Sequence, residues 1–186
     1  MSKILLFLSL LLLSGLSACG VSIIASDELV TKYAYVHDGP PSITLVTVIN
    51  NNNGEGGHSA LLINAQQRIV FDPAGNFKSK FAPERNDFVY GMRPEILDRY
   101  ISFHARTAWH VILQEKIVSP EVAEHLYQMA KNNGAVPSAF CANSVSHMLK
   151  GTPGFESISV NFFPKKIMKD FAKLPGVTTS KFEEWD

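Results

Sequence analysis

Apolar positions along the chain recur at two periods, and each change of period marks the edge of an element. Residues 43–49, "ITLVTVI", form an unbroken β-branched and apolar run, which predicts a buried strand. The polar loop "NNNNGEGG" separates it from two short apolar runs, residues 58–63 and 68–72, joined by "NAQQ" at the spacing of a hairpin. Residues 73–89 mix charges, glycine and two prolines and predict an irregular excursion across the surface. Helical periodicity takes over at residues 94–106, where Pro94 suits a first turn and Ile96, Leu97, Tyr100, Ile101 and Phe103 share a face. Residues 109–118 alternate and carry β-branched side chains, as a third long strand does. Ser119-Pro120-Glu121 then supplies a cap, a first-turn proline and an early acid for a helix that ends before Gly134. "CANSVSHMLK" predicts a further helix stopped by Gly151, residues 164–173 a short one, and residues 177–185 a last edge strand. Strands interrupted by helices in this order predict an α+β fold, a mostly antiparallel sheet packed with helices.

The first residues do not belong to that pattern. Lys3 precedes a short apolar stretch, "ILLFLSLLLL", which reads as a signal peptide and is too short for a membrane helix of roughly 20 apolar residues. It ends in "LSAC", which resembles the lipobox of bacterial lipoproteins. That resemblance implies removal of residues 1–18 and acylation of Cys19, which anchors the chain to a membrane. Gly20 stands where inner-membrane retention favours Asp, so the expected address is the Gram-negative cell envelope, at the outer membrane facing the periplasm. Residues 19–41 then form the lipidated cysteine and a tether with a weak strand or helix, ending in "GPP", and residues 42–186 a single α+β domain.

Charge narrows the partners. The chain holds 17 basic and 17 acidic residues without a clustered basic patch, so nucleic acid is not an expected partner. No phosphate-cradling glycine motif and no His/Cys cluster at metal spacing occurs, so neither a cofactor nor a metal is expected.

With Cys19 acylated, Cys141 is a lone thiol in an oxidising compartment, which calls for an explanation. It falls in the first turn of a predicted helix, where the helix dipole and free N–H groups favour an anion. A thiolate nucleophile also needs an imidazole, and His58, held on a strand after Gly56-Gly57, is the candidate. A third group must accept from that imidazole and fix its tautomer; Asp72, on the paired strand, and His110 are the rivals. His104 is expected on the solvated side of its helix, and His147 on another face from Cys141. The default for Phe162-Phe163 and for Phe77 to Phe81 is core packing, with a substrate groove as the alternative.

"GGHSALLI", "RIVFDPAG" and, much later, "FCANSVSHML" together resemble the circularly permuted branch of the papain-like thiol hydrolase superfamily. That branch includes lecithin–retinol acyltransferase-like proteins and relatives of bacterial cell-wall peptide hydrolases, and in it the histidine strand precedes the cysteine helix. The resemblance implies Cys141 as nucleophile, His58 as base and Asp72 as the orienting residue. It also implies a thioacyl intermediate on an amide or ester, with a cell-wall peptide preferred over a lipid substrate. The alternative from a different class is a non-catalytic envelope lipoprotein, a binding or assembly module with Cys141 buried.

Overall fold

The computed structural model describes residues 23–185; residues 1–18, where a signal peptide is expected, and Cys19 lie outside the described residues. Chain order is α1 (Asp27–Tyr33), β1 (Ser42–Asn50), β2 (Gly56–Asn64), β3 (Arg68–Phe71), β4 (Glu84–Arg85), β5 (Phe88–Val89), α2 (Pro94–His104), β6 (Trp109–Ile117), α3 (Pro120–Asn132), α4 (Cys141–Lys150), α5 (Pro164–Phe171) and β7 (Val177–Glu183). All pairings are antiparallel, in one seven-stranded sheet of order β4-β5-β3-β2-β1-β6-β7. Among the described residues, no helix is long and apolar enough to cross a membrane.

The central strands lack alternation because both sheet faces are covered. Ile43, Leu45, Leu61 and Phe71 pack with Leu126, Val145, Leu149 and Phe171 from α3, α4 and α5. On the other face, Val46, Val48, Ala60 and Val70 pack with Phe77, Met92 and Tyr100. Side chains two apart on β2 therefore meet one layer, and neighbours meet opposite layers.

Helix starts follow the sequence signals. Ser119 caps α3 by accepting from the Val122 N–H at 3.4 Å, and Pro120 occupies the first turn. Ser119→Ala is expected to cost about 1 kcal/mol, read as a lower urea midpoint at unchanged slope.

Two regions are more ordered than the sequence pattern alone registers. The described part of the supposed tether lies along the sheet. Ala25 N–H donates to the Glu84 carbonyl at 3.0 Å, Arg68 N–H to the Tyr35 carbonyl at 2.8 Å, and the Asn64 amide to the Pro40 carbonyl at 2.8 Å. The 73–89 excursion contains β4 and β5, joined by Asn86 and Asp87 with φ of 48° and 67°. Positive φ at both central residues is the geometry of a tight two-residue hairpin, which Asn and Asp tolerate better than most side chains.

Candidate active site

A bulge sets the direction of His58. β1 and β2 stay in step down to Val48↔His58, after which Ile49 pairs with Gly56, so Gly57 is the extra residue. Bulges of this kind re-aim the neighbouring side chain. Gly57 has no room for a side chain, since a Cβ there meets the Trp109 ring at 2.4 Å; at Gly56 a Cβ meets Pro164 at 2.7 Å. The double glycine thus admits Trp109 and the start of α5 rather than clearing space around the imidazole.

The structure brings His58, Asp72 and Cys141 together. His58 Nε2–H donates to Asp72 Oδ1 at 2.7 Å, and the Cys141 thiol lies close enough to the same imidazole that each favours the charged form of the other. Cys141 opens α4, and the nearby backbone N–H groups of Ser59 and Ala142 favour its thiolate. The residue before the N-cap, Ala139, has φ of 68°, an uncommon conformation for a side-chain-bearing residue that turns the chain into the helix.

Three residues that sequence reasoning did not assign complete the arrangement. Tyr100 O–H donates to the same Asp72 oxygen at 2.8 Å and is fully buried. His104 is half-buried instead of solvated. Its Nδ1–H donates to the Tyr100 carbonyl at 2.9 Å, and its ring lies parallel to that of His58, 4° between planes and 5.6 Å between centroids. Asp87 accepts from Ala74 N–H at 3.2 Å and Val136 N–H at 2.7 Å, tying the loop after Asp72 to the loop before Cys141. The spacing of Tyr100 and His104 by one helical turn was the available signal, since it puts both on one side of α2.

His110, the rival for the orienting role, is elsewhere. It shares a hydrogen bond with Asn51 Oδ1 at 2.5 Å in the β1–β2 loop, because its register opposite Ile49 turns it away from β3. His147 is exposed on α4. Phe77 is core, against Tyr100 and Phe103. Phe162 and Phe163 are not: they are 51% and 70% exposed, and Phe162 packs edge-on against Phe140 at 5.3 Å, forming an apolar rim at the start of the cysteine helix.

Electrostatics favour an ion pair. Burial opposes charge on His58, but its hydrogen bonds to Asp72 and Cys141 and their negative charges outweigh this and push the imidazole up to about 10. Burial likewise opposes the Cys141 thiolate, and His58 with the two backbone N–H groups more than reverses it, so the thiol titrates below its ordinary range. Asp72, against burial, is held below the usual carboxylate range by His58, with smaller help from His104 and Tyr100. His104 is pushed down, chiefly by burial and with a smaller contribution from the neighbouring His58 charge, against the pull of Asp72.

His58, Asp72 and His104 also place one ligand-capable atom each within 4.8 Å of one another. Two imidazoles and a carboxylate are donors that zinc accepts, but a metal there has to displace the strongly held Nε2 proton of His58. The cleft beside them, about 450 Å³, is lined by His58, His104, Asn76, Phe103, Arg106 and Trp109 among others. Cys141 is 8% exposed and does not line this cleft.

No family model, curated protein or solved structure matches this chain.

Proposed function

We propose that the protein is a cysteine hydrolase or acyltransferase of the cell envelope, with the permuted papain-like order of histidine strand before cysteine helix. The observation that carries this reading is the connected series Cys141–His58–Asp72–Tyr100, with the thiol at a helix N-terminus. The Cys141 thiolate attacks the carbonyl carbon of an amide or ester, forming a C–S bond. As the tetrahedral intermediate collapses, His58 passes its Nδ1 proton to the departing amine or alcohol, leaving a thioacyl group on Cys141. His58, neutral again, takes a proton from water or another acceptor, which attacks the thioester and frees the thiolate. Asp72 keeps the imidazole oriented through Nε2, and Tyr100 keeps Asp72 oriented.

The leader and "LSAC" favour a lipid anchor at Cys19 and an outer-membrane address. In that compartment a cell-wall peptide amide is the preferred substrate, with a lipid ester or amide second. The test is to incubate the full chain, in detergent, with an activated thioester and weigh the peptide that carries Cys141. An acyl adduct on Cys141, absent in Cys141→Ala and slow to form in His58→Ala, is the expected result.

The burial of Cys141 favours a second reading, a non-catalytic envelope module. A thiol that acquires no acyl group and reacts slowly at every pH selects it.

A further inference from the structure

The far end of β2 from His58 holds a buried charge with no counter-charge in contact. Arg68 opens β3 and is 7% exposed. Its Nε–H donates to the Met92 carbonyl and its guanidinium lies over the Tyr35 ring, 5.1 Å from the centroid, while Nη2 has no acceptor. Among the described residues no carboxylate forms an ion pair with it; Asp98 and Glu95 act on it only through space. Arginine is almost never buried unless it is paired, because desolvating the charge is costly.

Opposite Arg68 in register stands Asn64, 5% exposed. Its amide N–H groups serve the Gly39 and Pro40 carbonyls, and its Oδ1 receives no donor. Arg68 and Asn64 line one cleft of about 420 Å³, together with the hydroxyls of Ser42, Thr44 and Ser180 and the carboxylate of Glu115. The guanidinium calls for an anion with paired oxygens. Glu115 in the wall and Asp98 and Glu95 nearby disfavour a dianionic phosphate, so a singly charged carboxylate fits better. Asn64 Oδ1 and Glu115 call for N–H or O–H donors on the same molecule.

We propose that this cleft is a second ligand site, which takes the carboxylate of a free amino acid or of a peptide C-terminus on Arg68 and an N–H group of the same ligand on Asn64. The site is independent of the thiol chemistry. It lies six residues along β2 from His58, roughly 20 Å at strand rise.

The test is an NMR titration of the isotope-labelled full chain in detergent micelles with glycylglycine, glycine, acetate and inorganic phosphate. Saturable shifts of the Asn64 side-chain amide and the Arg68 Nε–H, with glycylglycine bound more tightly than acetate, are expected. Glycine acting as well as the dipeptide identifies a free amino acid as sufficient; the dipeptide alone identifies a peptide terminus. Arg68→Gln is expected to lose saturation at Asn64, and the wild-type map decides the matter on its own if that variant does not fold. The proposal is overturned by the absence of saturation, by acetate or phosphate binding as tightly as the dipeptide, by shifts centred on Gly57 and His58, or by saturation that survives in a folded Arg68→Gln.

Discussion

Alkylation of Cys141 at neutral pH is expected to slow by about tenfold or more when His58 is replaced by alanine, with any acyl-transfer rate falling by about 10²- to 10⁴-fold. The wild-type thiol is pulled below its ordinary 9.0 chiefly by His58, against the opposing effect of burial. Removing the imidazolium leaves only the helix end and the Ser59 and Ala142 N–H groups, so the titration returns toward 9.0, where a thiol at pH 7 is about one-hundredth ionised. Rates measured by mass spectrometry of the Cys141 peptide across pH should rise at lower pH in the wild type than in the variant. Superimposed profiles refute the pairing. The same ion pair has a stability signature. His58 is raised from 6.5 to about 10, so its contribution is complete below pH 6.5 and is lost as pH climbs through 10. Asp72 is depressed from 3.8, so its contribution is present above pH 3.8 and is lost as pH falls further. Urea stability should therefore decline at both ends of that window, and in His58→Ala the alkaline decline should shrink.

The parts of this site that were legible in the sequence are those fixed by local pattern. Cys141 at a helix start and His58 at a strand start follow from periodicity and breakers, and Asp72 follows from hairpin pairing. What was not legible arrives through tertiary contact. Periodicity puts Tyr100 in the apolar face of its helix, and it does lie there; only the fold shows that its hydroxyl meets a carboxylate. Amphipathicity ranks the histidine at 104 as polar and so predicts it in solvent, yet that side of α2 looks onto the bulged end of β2. Asp87 sits in a hairpin whose strands are two residues each, too short for any period to register. Its single sequence trace is the pair Asn86-Asp87, a turn signal weaker than one containing glycine. Residues 23–41 looked like a tether because their order comes from hydrogen bonds to Glu84, Arg68 and Asn64, far along the chain.

Gly75→Ala is expected to destabilise the protein by about 1–3 kcal/mol and to slow Cys141 labelling, although Gly75 belongs neither to the helix of Cys141 nor to the strand of His58. A Cβ at Gly75 falls 1.9 Å from Asp72 Oδ2 and 2.2 Å from its Cγ, so the two groups cannot coexist as they stand. The Gly75 N–H also donates to the Asp72 carbonyl at 2.9 Å, which closes the turn and keeps the backbone from drifting apart. Relief therefore falls on the Asp72 side chain, whose oxygen is committed to both His58 and Tyr100. Swinging it away strips His58 of its anion, lets the imidazole drop toward its ordinary range, and weakens the thiolate in turn. A double-mutant cycle isolates this cause. In an Asp72→Ala background the clashing atoms are gone, so adding Gly75→Ala should cost less than half its wild-type penalty and should leave the labelling rate where Asp72→Ala already set it. Equal penalties in the two backgrounds place the strain in the backbone of the turn and separate Gly75 from the carboxylate. A smaller penalty with an unchanged wild-type labelling rate shows that Asp72 can move without disturbing the thiol, and removes it from the chain of groups that hold His58.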